Sequence, residues 1–176
     1  TSTSNRLNLV MTAGLNGYGL LNIADTMIAT HGGNITAKAK YSSEIAFILD
    51  GNNTWNMDTG SISFSGIHSD LTHEFAMTVY GEWNIITASK VNITTNLVTN
   101  PGFALNGNLT FKGGSLNINS TGNWSGILFD GGTLTSIGAN ITINTSCNNW
   151  CDATFFTMSD SNFYACLLYT SPSPRD

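Results

Sequence analysis

Apolar and polar positions alternate in short bursts along the chain, and the bursts recur. Leu7-Asn8-Leu9, Ile35-Thr36-Ala37, Ile62-Ser63-Phe64, Val91-Asn92-Ile93, Leu116-Asn117-Ile118 and Ile141-Thr142-Ile143 share an apolar, polar, apolar form and begin 28, 27, 29, 25 and 25 residues apart. A period of two is that of a β-strand with one face buried. Eleven to fourteen residues after each start comes a second apolar strand, at 20–23, 46–49, 75–79, 103–105, 127–129 and 155–158. A third follows at 27–29, 54–57, 83–86, 109–111 and 133–137, with a weaker one around Phe163.

A unit of three short strands cannot bury its own apolar side, so the units must stack, strand upon equivalent strand. The pattern therefore predicts an all-β chain folded as a right-handed parallel β-helix, a β-solenoid of about six rungs with three strands each. At about 4.8 Å per rung, six rungs make a rod roughly 25–30 Å long. Residues 1–165 are expected to form a single β-helix fragment, uncapped at both ends and belonging to a longer protein. Alternation places Leu116, Ile118, Ile141 and Ile143 inward and Asn117 and Thr142 outward. In the second strands, Phe47, Phe75 and Phe103 are expected to stack as one internal column, with Ile127 and Phe129 or Phe155 continuing it. Trp55 and Trp83 are assigned to the core, and Trp124 and Trp150 to exposed loops.

Residues 166–176, CLLYTSPSPRD, carry two of the three prolines and break the repeat. The string resembles the translated reading frame of a sequencing adapter, which makes it a non-natural tail to be set apart from fold reasoning.

Composition narrows the partners. Only 10% of the residues are charged, against about a quarter in an ordinary soluble domain, and Asn, Thr, Ser and Gly supply most of the polarity. Six basic against eleven acidic residues leave a net charge of −5 and no basic stripe, so nucleic acid is not an expected partner. No apolar run is long enough to be a transmembrane helix.

Asp25, Asp50, Asn106, Asp130 and Asp160 each follow a second strand. Stacking would set Asp25 near Asp50 and Asp130 near Asp160, the arrangement of a carboxylate pair or a shared calcium site. The recurring dipeptides Asp50-Gly51, Asn106-Gly107 and Asp130-Gly131 are equally what a tight turn requires, and a turn that recurs in every rung is structural. Lys38, Lys40, Lys90 and Lys112 do not share the rung position of these acids. Catalysis is accordingly not expected, with Asp130 and Asp160 kept as the best alternative catalytic carboxylates. The cluster His68, Asp70, His73 and Glu74 matches no zinc spacing, His31 stands alone in the sequence, and no metal or cofactor is expected. Cys147 and Cys151 bracket a short loop and form a candidate disulfide of an oxidising compartment; so small a ring would pin the loop rather than hold the fold. Asn-x-Ser/Thr triplets begin at Asn34, Asn52, Asn92, Asn108, Asn119, Asn123, Asn140 and Asn144, a frequency that the composition itself favours.

The rungs GNLTFKGGSLNINSTGNWSGILFDGGTLTSIGANITINTS, residues 107–146, resemble the repeats of filamentous-haemagglutinin-like large exoproteins, including two-partner-secretion adhesins of Gram-negative bacteria. The likeness extends less clearly over residues 6–165. It implies a right-handed β-helix exported through an outer-membrane secretion partner and located at the bacterial cell surface or outside the cell. It also implies attachment to a host-cell or bacterial surface glycan or protein. Some relatives carry sugars at Asn-x-Ser/Thr sites, which adds interest to those triplets here. The expected function is a non-catalytic adhesin stalk or binding segment. The alternatives are a pectin-lyase-like polysaccharide-degrading enzyme and an autotransporter passenger segment.

Overall fold

In the computed structural model every regular element among the described residues is a β-strand. The structure describes residues 6–13, 20–22, 26–40, 47–68, 77–97, 102–122, 126–147, 155–158 and 161–166. The first coil comprises β1 (Leu7–Ala13), β2 (Leu20–Asn22) and β3 (Thr26–Ala29), and the second β4 (Gly33–Lys40), β5 (Phe47–Leu49) and β6 (Asn53–Asn56). The third has β7 (Ser61–His68), β8 (Met77–Val79) and β9 (Asn84–Thr87), and the fourth β10 (Lys90–Leu97), β11 (Phe103–Leu105) and β12 (Asn108–Lys112). The fifth has β13 (Ser115–Gly122), β14 (Ile127–Asp130) and β15 (Thr133–Ile137), and the last β16 (Asn140–Cys147), β17 (Phe155–Met158) and β18 (Asn162–Cys166).

Equivalent strands pair in parallel into three six-stranded sheets, β1-β4-β7-β10-β13-β16, β2-β5-β8-β11-β14-β17 and β3-β6-β9-β12-β15-β18. The chain is a parallel β-helix, as the recurrence predicts. Its four inner coils have a paired neighbour on each side, and burial follows from that. At inward positions Ile62 and Leu134 are fully buried, whereas Leu9 and Phe163 in the outermost coils remain 37% and 51% exposed. Each fully buried Leu, Ile or Phe of the inner coils stabilises the stack by roughly 1.5–3 kcal/mol relative to an exposed one.

The first sheet follows the alternation read from the sequence: along β13 half-buried and buried residues alternate, with Leu116 and Ile118 inside and Asn117 on the outer face. The second sheet does not alternate. Met77-Thr78-Val79, Phe103-Ala104-Leu105 and Ile127-Leu128-Phe129 are buried throughout, and Ala104 and Leu128 form a cluster separate from the main core. Both faces of this sheet are therefore covered in these three coils, which is why strands there read as nearly continuous apolar runs.

Two registers differ from the sequence expectation. Leu9, not Leu7, stacks on Ile35, and Leu7 lies opposite Gly33. In the second sheet the column runs Phe47, Met77, Phe103, Ile127, Phe155, so its members are in register as expected except that Met77 stands in the place assigned to Phe75, which lies outside the described residues. Both differences are shifts of two residues, which keep the same side chains facing inward and so leave the apolar pattern unchanged. Phe129 falls in the neighbouring column, opposite Leu105. Buried phenylalanines also occur in all three sheets, Phe64 in the first, Phe103 and Phe129 in the second and Phe111 in the third. Trp55 is buried, its ring 6.3 Å from that of Phe64.

The core also holds polar side chains that the pattern did not reveal. Asn53 and Asn84 occupy consecutive inward positions of the third sheet and are almost wholly buried. Asn53 Nδ2 donates to Asn84 Oδ1 at 2.6 Å, and Asn84 Nδ2 donates to the carbonyls of Gly81 at 3.0 Å and Asn108 at 3.2 Å. In the next two coils the same column is filled by Leu109 and Leu134. Bonding of this kind is what allows an amide to sit among apolar side chains.

Candidate functional site

The corner after the second sheet carries the Asx-Gly turns, and the structure gives two reasons for their glycines. Gly51 and Gly131 adopt φ of +91° and +71°, the left-handed region that a Cβ disfavours. Gly107 is not left-handed; a Cβ there would run into the backbone of Tyr80 and Gly81 in the coil below. Asp50 accepts a hydrogen bond from Gly51 N–H at 2.8 Å, closing its own turn. Asp130 lies opposite Met158 in one neighbouring coil, and one position beyond the Leu105–Phe129 pair, beside Asn106, in the other. Asp25 and Asp160 lie outside the described residues.

No group of three or more metal-ligating side chains occurs among the described residues. Of the His68–Glu74 cluster, only His68 falls among them, at the end of β7. His31, isolated in the sequence, stands 3.2 Å from Asp58 of the next coil, both on the exposed surface. Asp58 is itself in a left-handed turn (φ 51°) and donates its N–H to Asn56 Oδ1. Cys147 is disulfide-bonded; Cys151, its expected partner, lies outside the described residues, as do Trp124 and Trp150. No helix among the described residues is long and apolar enough to cross a membrane.

The outer face of the first sheet is a lattice of small polar groups bonded along the axis. Asn117 donates to Asn92 at 3.1 Å, Asn144 to Asn119 at 2.8 Å and Ser61 to Asn34 at 2.6 Å, and the Thr121 and Ser146 hydroxyls meet at 2.7 Å. These bonds link consecutive coils, so the amides satisfy one another. The Asn-x-Ser/Thr triplets at Asn34, Asn92, Asn119, Asn140 and Asn144 have a geometric origin here: two residues apart on a strand, both side chains of each triplet face outward.

The third sheet presents a different surface. Trp83, assigned to the core from sequence, is 65% exposed. The reason is parity: Asn84 and Ile86 point inward, so Trp83 and Ile85 must point out. Its backbone is fixed, because Asn53 N–H donates to Trp83 O at 2.8 Å and the next residue is the buried Asn84. With Leu109 paired to Asn84, Trp83 falls level with Asn108, which pairs with Thr133, which pairs with Asn162. A parallel row runs Ile85, Thr110, Thr135, Tyr164, and Tyr164 is 54% exposed. Glu82, Trp83, Asn84, Ile85, Asn108 and Thr110, with Thr133 and Thr135, line an open concavity of about 180 Å³. The Trp83 signal was present in the sequence as an aromatic one residue ahead of the inward set, but it became legible only once the register was known.

No protein-family model matches the chain, and neither comparison with curated proteins nor comparison with solved structures yields a match.

Proposed function

We propose that the chain is part of a secreted, non-catalytic surface-attachment protein, a stalk or binding segment of the adhesin kind. The observation that carries this reading is a stack of coils whose outer faces, among the described residues, are mostly small hydroxyls and amides with few charges, and from which the Trp83 and Tyr164 rings project. A stack gives reach, and repeated short polar side chains give many weak contacts whose sum supplies avidity. The bonded Cys147 supports an oxidising, extracytoplasmic location, as the cell surface or the medium would be. The partner is a glycan or protein on a host or bacterial surface, and export uses an outer-membrane secretion partner. In the autotransporter variant of this reading, a β-barrel on the same chain takes that partner's place.

The test is retention of beads coated with the purified chain on epithelial and Gram-negative bacterial cells, compared with beads carrying heat-denatured chain. Retention of the folded chain alone is expected, and equal retention of both would sink the proposal. A polysaccharide-degrading enzyme using Asp130 and Asp160 is the weaker reading, because the register sets Met158 rather than an acid opposite Asp130. Release of reducing ends from pectin or glucan by the folded chain, lost in Asp130→Asn, would reverse that ranking.

A further inference from the structure

We infer that the outer face of the third sheet binds an extended, uncharged polysaccharide lying along the solenoid axis, with Trp83 stacking on one sugar and Tyr164 on another. The inference rests on the attachment reading and names its ligand class. Trp83 and Tyr164 stand three coils apart, about 14 Å at the usual strand spacing, with only small polar groups between them. Asn108, Thr110, Thr133 and Thr135 occupy the intervening coils, one hydroxyl or amide pair per coil.

This alternation suits a sugar chain. A hexose has an apolar face of C–H groups and an equatorial rim of hydroxyls; the first packs on an indole or phenol ring and the second exchanges hydrogen bonds with Thr and Asn. The coil spacing is close to the rise of one hexose unit in an extended glycan, so successive sugars meet successive coils. The concavity is open and shallow, which fits a chain passing over it rather than a small molecule enclosed by it. Glu82 lines the site and the chain carries a net charge of −5, which disfavours uronic acids and sulfated sugars. A protein partner would call for a contiguous apolar centre. Here Trp83 and Ile85 are the apolar groups of the concavity, and the two coils between them and Tyr164 present only Asn and Thr on these rows.

The test is titration of the whole chain with cellohexaose, maltohexaose and mannohexaose, and with hexagalacturonic acid as the charged counterpart, followed by calorimetry and tryptophan fluorescence. At least one neutral hexasaccharide is expected to bind and to change the tryptophan emission, a change that should be lost in Trp83→Ala. Affinity should rise from the disaccharide to about the tetrasaccharide, the length that spans Trp83 to Tyr164, and then level off. Trp83→Ala should weaken binding by about tenfold or more, Tyr164→Ala by about threefold, and Ser63→Ala on the first sheet not at all. Circular dichroism would confirm that each variant is folded. Absence of binding by every neutral hexasaccharide, equal binding of hexagalacturonic acid, or binding indifferent to Trp83→Ala would each overturn the inference. Cell retention separates this outcome from failure of the attachment reading: beads retained equally by wild type and Trp83→Ala leave attachment standing through another surface, such as a protein contact. Beads not retained at all overturn the attachment reading, and loss of hexasaccharide binding overturns the glycan site itself.

Discussion

The first and second sheets run through the same six coils, yet only one of them has an outside. In the first, strands such as β13 alternate between buried and half-buried residues and carry Asn and Thr ladders on the outer face. In the second, β8, β11 and the first three residues of β14 are buried on both faces, so that Thr78, Ala104 and Leu128 are shielded from water although they point away from the main core. The difference shows that one solenoid builds two kinds of sheet. Where a face meets water, polar residues and cross-coil hydrogen bonds are selected. Where it is covered, any polar group is exposed to the cost of desolvation. Thr78 Oγ1 and Asn106 Oδ1, both on or next to the second sheet, are the side-chain atoms buried without a hydrogen-bond partner among the described residues.

The sharpest way to break this comparison is to place the same charge on both outer faces. Ala104→Asp should destabilise the fold by about 3–5 kcal/mol, because the carboxylate would be buried without a partner. Thr94→Asp, on the exposed face of the first sheet, should change stability by less than about 0.5 kcal/mol. Equal urea midpoints for the two variants would refute the claim that the second sheet is covered. Phe103→Ala should cost about 3–4 kcal/mol in the same unfolding assay, since the removed ring lies at a fully buried inward position. A smaller effect concerns the amide pair of the third sheet. Asn84→Leu should lose about 1–3 kcal/mol by stripping Asn53 of its 2.6 Å partner, and the double variant Asn53→Leu/Asn84→Leu should recover at least half of it, since Leu109 and Leu134 already fill that column in the next coils. A double variant as unstable as the sum of its parts would mean that the amides do more than satisfy each other. The smallest effect is expected at Thr78→Val, a gain of up to about 1 kcal/mol from removing a buried, unbonded hydroxyl, read as an upward shift of the unfolding midpoint.

Much of the fold was legible because the solenoid repeats a local pattern. Leu116, Ile118 and their equivalents announce a period of two, and the recurrence of such strands requires stacking. Register was less legible. Leu7 and Leu9, or Phe75 and Met77, present the same inward parity, so apolarity alone does not choose between them. The turn dipeptides held the missing clue: Tyr80-Gly81 occupies the place of Asp50-Gly51 and Asn106-Gly107, which aligns Val79 with Leu49 and Leu105. The candidate site was the least legible part. Trp83 is apolar and next to a strand, which favours the core in any composition-based reading, and its exposure follows only from the inward Asn84 beside it. His31 and Asp58 are likewise 27 residues apart in the chain and adjacent only across coils.

The sequence by itself determined the all-β character, the number of strands per coil and the parallel stacking, because alternation and recurrence are local properties and stacking is the one way for such small units to bury their apolar sides. The tertiary structure decided which residue lies on which in the next coil, which sheet is covered on both faces, and where an aromatic ring reaches solvent. Those are relations between residues about 25–30 positions apart, set by turn geometry and by close backbone approach at glycines, and they leave no mark on the period of the pattern.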